Sequence, residues 1–165
     1  METNAKKLAL VNPEDLSLVD ENSLNPQQLK LLLTRTPPHY IRQRPAKGGG
    51  VWNYVTGGYF KKVLNLMFGW RWSFEVVTSE IQHGEVIVLG KLICTTHDNF
   101  NIIKMQYGNK EIVYKKGTEK PLSIGNDFKA AATDALKKCA AELGIAADVY
   151  NADEFREVNV NTDEK

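Results

Sequence analysis

A chain of 165 residues with 42% hydrophobic, 25% charged and 9% aromatic residues has the size and composition of one globular domain with a buried core. No run of about 18 apolar residues occurs, and the first residues lack the apolar stretch of a signal peptide, which argues against a membrane span and against export. The net charge of +1 hides a partition: residues 1–25 hold two lysines against five acids, residues 148–165 two basic residues against six acids, and the basic excess of +8 lies in 26–147.

A basic body between acidic ends suits a domain that binds polyanions, although a lysine-rich solvated surface accounts for charge alone equally well. Cys94 and Cys139 are the two cysteines and lie far apart in sequence, which points to a reducing compartment and away from a disulfide framework or a zinc site.

Residues 1–25 are polar and aperiodic, and are expected to be flexible. "NPQQLKLLLT" predicts a short helix with Pro26 in its first turn, where a missing N–H costs nothing. The prolines of "TPPHYIRQRP" end it and leave an extended segment. With the glycine turn of "AKGGG" and the β-branched and aromatic "VWNYVT", this predicts a hairpin of residues 39–44 against 51–56. In "GGYFKKVLNLMFG" the apolar residues Tyr59 or Phe60, Val63, Leu64, Met67 and Phe68 keep helical spacing, and Gly69 ends the helix.

Three strands follow, "RWSFEVVTSEI", "EVIVLGKLICTT" and "NIIKMQYGNKEIVY", joined by the turn residues of "QHG" and "HDN". In the first, Trp70, Trp72, Phe74 and Val76 are expected on one face, as in a sheet covered on one side. The last helix carries the stripe Phe128, Ala131, Ala132, Ala135, Leu136, Cys139, Ala140 and Leu143, stopped by Gly144, with Ser123 or Asn126 at its start. Lys129, Thr133 and Lys137 line one flank of that stripe, while Asp134, Lys138 and Glu142 lie further round. The order helix, hairpin, helix, three-stranded antiparallel meander, long helix is an α+β class. Three units are expected: a flexible segment 1–25, a binding domain 26–147, and an acidic, disordered tail 148–165.

Signatures of catalysis are scarce. No G-x-x-x-x-G-K-[ST] loop and no G-x-S-x-G are present, and His39, His83 and His97 lack metal spacing. Carboxylates in the body are dispersed, which weakens a two-metal nuclease. The basic and aromatic clusters carry more information. "HYIRQRPAKGGGVWNY" sets Arg42, Arg44 and Lys47 beside Tyr40, Trp52 and Tyr54, and a hairpin puts Arg42 and Arg44 on one face. Guanidinium forks bind phosphate oxygens and aromatic rings stack on bases. Alone, such a hairpin reads as an ordinary exposed one; together with the lysine row of the last helix it points to nucleic acid.

"YIRQRPAKGGGVWNYVTG", "LNLMFGWRW" and "FKAAATDALKKCAAELG", in this order and spacing, resemble the annealing domain of the Rad52 family, from about Pro37 to Ala147. That resemblance implies a β-β-β-α core, a closed homo-oligomeric ring, and single-stranded DNA gripped by its phosphates in a basic groove with its bases outward. It implies DNA-binding roles for Arg44, Lys137, Lys138 and Tyr54, beside Arg42, Lys47, Lys129 and Trp52 from the cluster. Ala141 stands where the family often carries a further basic residue, which implies a less tightly binding groove.

The expected function is annealing of complementary strands in recombination and repair, without ATP, metal or cofactor and without catalysis. Expected partners are single-stranded DNA, its complement, further copies of the chain, and a single-strand-binding protein or exonuclease, but no membrane. With 165 residues a phage or bacterial member, working in the cytoplasm, is expected rather than a nuclear one. The alternatives are a metal-dependent nuclease or other DNA-processing enzyme, and a single-strand-binding module that does not anneal. For the acidic tail three roles stay open: a solubilising end, a competitor for the basic groove, or a site for a partner.

Overall fold

The computed structural model describes residues 25–46 and 48–150. α1 (Pro26–Leu33) opens with a reciprocal capping box, in which the Asn25 side chain accepts from the Gln28 amide and the Gln28 side chain accepts from the Asn25 amide. Two donors that a first turn would leave orphaned are thereby satisfied. Gln28 Nε2 also donates to Met67 O at 2.6 Å and ties α1 to the helix it packs on.

After a 3-10 turn at Pro38–Tyr40, β1 (Ile41–Pro45) and β2 (Val51–Val55) form an antiparallel hairpin that is a two-stranded sheet of its own. Gly48, Gly49 and Gly50 between them have φ of 101°, 98° and 90°. A side chain at any of the three would be strained, so the glycine run is what lets the hairpin close. α2 (Gly57–Phe68) buries Tyr59, Phe60, Val63, Leu64, Met67 and Phe68, the stripe that the spacing predicts, and Gly69 caps it at φ 61°.

β3 (Trp72–Gln82), β4 (Glu85–Thr95) and β5 (Asn101–Glu111) form the antiparallel meander in the order β3-β4-β5. His83 and Gly84, both at positive φ, make the two-residue turn between the first two strands. The expected face of the first strand holds only in part. Trp72 and Phe74 pack against the core, but Trp70 is 95% exposed and Val76 half exposed. The cause is local: Arg71 N bonds Phe68 O, so Trp70 falls in the turn leaving α2 rather than in the strand. Further along, a bulge between Val76 and Thr78 shifts the register and inverts the alternation.

α3 (Ile124–Ala141) lies on the sheet, chiefly on β4 and β5, over Val86, Val88, Leu92 and Cys94. Its alanines permit a close approach, and the strands answer with glycines. A Cβ on Gly108 would overlap the Ala135 nitrogen and the Ala131 oxygen; one on Gly90 would overlap the Phe74 ring and Ala135. Two core clusters result. The larger joins α2, the start of the sheet and the second half of α3, while the smaller holds Val86, Val88, Ile112, Ala131 and Ala135 with Phe128 packed partly buried against it. Cys94 and Cys139 are free, buried thiols, and burial pushes Cys94 up to about 12.

α4 (Ala147–Tyr150) closes the described chain. Asp148 accepts from Thr36 N at 2.8 Å and from Thr36 Oγ1 at 2.7 Å, and Tyr150 Oη accepts from Val55 N at 2.9 Å. Residues 148–150, expected as the start of a disordered tail, are thus bound into the domain, because their polar side chains satisfy backbone groups at the end of the hairpin and after α1. Residues 1–24 and 151–165 of the expected flexible ends, and Lys47, lie outside the described residues.

Candidate nucleic-acid interface

The register of the hairpin sets its chemistry. Arg44 pairs with Trp52 and Arg42 with Tyr54, so all four side chains share one face, while Gln43 and Asn53 bond each other on the opposite face. Arg44 leans over the Tyr54 ring, 5.8 Å from its centroid, and Trp52 is 60% exposed.

α3 supplies the facing wall. Lys129, Thr133 and Lys137 follow at intervals of four and look toward the hairpin, because the alanine stripe beside them is committed to the sheet. Gly57 allows α2 to start against Thr133, whose methyl group a Cβ at that position would crowd. Between hairpin and helix runs a groove in two stretches. The larger, about 790 Å³, includes Trp52, Asn53, Gln106, Lys138 and Tyr150; the second, about 470 Å³, includes Asn109, Lys110 and Lys129. Arg44, Tyr54, Asp134 and Lys137 line both, which makes them the waist of the groove.

Lys137 stands at that waist between two phenol rings, with Nζ 5.6 Å from the Tyr54 centroid and 6.0 Å from that of Tyr150. Both are within the range in which a ring face attracts a cation. Burial holds the Lys137 ammonium below its usual pKa, Asp134 opposes that shift, and Arg44 adds to it. Lys138, one residue on, is instead paired with Asp134 Oδ2 at 3.0 Å, and the same oxygen accepts from the Asn109 amide at 3.2 Å. Glu142 is bonded by Gln106 Nε2. Among the described residues the two carboxylates of the groove are therefore both engaged, and they moderate its positive potential.

Of the residues expected at the site, the groove gathers Arg44, Trp52, Tyr54, Lys129, Lys137 and Lys138. Arg42 shares the hairpin face but lines neither stretch, and Lys47 lies outside the described residues. Two further side chains line the groove that the sequence does not point to. Lys110 comes from β5, and nothing in its strand marks it as facing the helix side near Lys129. Tyr150 falls, by composition, in the acidic tail; its aromatic ring soon after the "AELG" helix end is the available signal.

The family model described as Rad52/22 family double-strand break repair protein matches residues 25–165, so the chain belongs to that family. No curated protein matches it.

Proposed function

We propose that this member of the Rad52/22 double-strand break repair family binds single-stranded DNA in the groove between the β1–β2 hairpin and α3, and anneals it to its complement without ATP or metal. The observation that carries the reading is the convergence of Arg44 and Lys137, from elements about 90 residues apart in sequence, on the waist of one open groove. Arg44 offers a planar fork to phosphate oxygens, and Lys137 a half-buried charge whose desolvation cost an arriving anion offsets. Tyr54 and the exposed Trp52 supply ring faces. Neutralising the phosphates of one strand reduces its repulsion of a second, and holding it extended presents its bases for pairing. The groove carboxylates Asp134 and Glu142 already have protein partners, which favours a binding role for the groove.

The test is affinity for a fluorescent oligothymidylate across salt concentrations, in EDTA and again with magnesium. Affinity should fall steeply with salt as counterions are released, and the DNA should be recovered at full length. Shortened DNA in magnesium would support the nuclease instead.

The Lys137 environment adds a pH dependence. Its lowered pKa means the charge is lost at a lower pH than for an ordinary lysine, so affinity should begin to decline, as pH rises, before the ordinary lysine range is reached. Lys137→Arg keeps its charge throughout and should flatten that decline. Identical profiles for the two proteins would remove Lys137 from the contact.

The ring is part of the same proposal. The face of the sheet turned away from α3 presents Ile103, Met105 and Tyr107 to solvent, and β5 has a free edge among the described residues. Exposed apolar faces and open edges of this kind call for cover. Native mass measurement without DNA should find a large homo-oligomer; a monomer at micromolar concentration would contradict the assembly.

A further inference from the structure

The basic excess of the domain is unevenly spread. Residues 25–74 hold eight lysines and arginines and neither aspartate nor glutamate, while residues 75–147 hold nine basic and nine acidic residues. α1, the hairpin and α2 therefore carry all of it, and α2 presents part of it outside the groove. Lys61, Lys62, Asn65 and Leu66 lie on the exposed side of α2, opposite its buried stripe, and the chain leaves the helix at Trp70. Leu66 is 65% and Trp70 95% exposed, and none of these side chains lines the groove.

The strip is fixed rather than loose. Gly69 N bonds Asn65 O at 2.9 Å and Arg71 N bonds Phe68 O at 3.1 Å, so Trp70 projects from a bonded turn. Arg71 beside it donates to Asn99 Oδ1 at 2.6 Å, and Asp98 in the turn thus held already pairs with His97. At the other end Lys62 Nζ donates to Tyr40 Oη at 2.9 Å and stands 5.4 Å from the centroid of that ring. From Lys62 to Trp70 the strip runs about 12 Å along the helix.

We propose that this strip is a docking surface for an acidic peptide segment of a partner protein. Trp70 and Leu66 receive the apolar side chains of the segment, and Lys61 and Lys62 attract the carboxylates between them. A tryptophan left bare on an ordered turn contributes nothing to the core, and ringed by cations it has the make-up of an interface anchor. Because α1, the hairpin and α2 contain no acid, none of these elements repels such a segment. A single strand would ask for something else, namely cations at phosphate spacing and rings for its bases. Here two lysines gather at one end, and aliphatic Leu66, which neither stacks on a base nor bonds it, holds the middle.

The test uses the full chain and a dye-labelled peptide of about 12 residues in which aspartates alternate with leucine and phenylalanine, followed by anisotropy at about 50 mM salt. The wild type should bind the peptide. Trp70→Ala and Lys61→Glu, which touch neither core cluster, should each weaken that binding about tenfold, as should asparagine in place of the aspartates of the peptide. The Arg44→Ala/Lys137→Ala variant should bind the peptide as the wild type does, and Trp70→Ala should keep full affinity for an oligothymidylate. Peptide binding lost in the double variant but kept in Trp70→Ala would put the acidic segment in the groove instead. Loss of oligothymidylate affinity in Trp70→Ala would make the strip a strand contact, and a smaller native mass of that variant would assign the strip to a second copy of the chain. Each of these outcomes, like a wild type that does not bind the peptide, overturns the proposal and leaves the reading of the groove to its own test.

Discussion

Gly108→Ala should destabilise the domain by about 3 kcal/mol or more, at the top of the range for overpacking. The strain has no soft outlet, because the new methyl meets the backbone of α3 at Ala131 and Ala135 rather than the end of a flexible side chain. To admit it, α3 must lift from β5, and the cluster of Val86, Val88, Ala131 and Ala135 opens with it. A loss of that size is a large share of the stability of a domain this long. Gly125→Ala is the control: it adds a methyl to α3 itself, in open space and at an ordinary φ, and should be neutral or stabilising by up to about 1 kcal/mol. Thermal melts of the two variants settle the point. A Gly108→Ala protein melting with the wild type would mean that α3 does not sit as close to the sheet as described.

Arg44→Ala and Lys137→Ala should each weaken single-strand binding by about 1–3 kcal/mol, roughly fivefold to 150-fold, without loss of stability. Neither side chain belongs to a core cluster, so the fold does not depend on them. Lys137→Ala carries a further expectation: removing a half-buried ammonium from between Tyr54 and Tyr150 ends a desolvation cost, so the melting temperature should hold or rise. Each substitution should also lower the steepness of the salt dependence, by about 0.7 for every single-strand phosphate that is no longer neutralised. Binding measured by anisotropy beside melting separates these effects. Full affinity in both variants would place the interface elsewhere on the molecule.

Much of this arrangement is legible in the sequence because it depends on local rules. Three glycines in a row demand a turn at positive φ, the spacing from Tyr59 to Phe68 fixes the buried face of α2, and the alanines after Phe128 announce a helix pressed against a sheet. Arg44, Trp52 and Tyr54 are readable as one face because pairing across a short hairpin leaves little freedom. What escapes the sequence depends on contacts between distant segments or on small local departures. The exposure of Trp70 turns on where α2 releases the chain, and the bulge after Val76 changes which residues of β3 face α3. Phe128 has the spacing of a core residue, yet it packs only partly buried against the cluster of Val86, Val88 and Ile112. Acidic composition hides the role of Asp148 and Tyr150, whose bonds to Thr36 and Val55 span 112 and 95 residues of chain. Lys110 enters the groove only because β5 lies beneath α3, which no local pattern announces.

The central claim is that a groove walled by Arg44 and Lys137 joins complementary strands by binding alone. It is tested most directly by mixing two complementary oligonucleotides, one carrying a donor and the other an acceptor dye, in EDTA without ATP. The account predicts that the wild-type protein speeds duplex formation well above the spontaneous rate, and that the Arg44→Ala/Lys137→Ala double variant, folded and at the same concentration, does not. Acceleration that required ATP or magnesium, or that survived in the double variant, would contradict it.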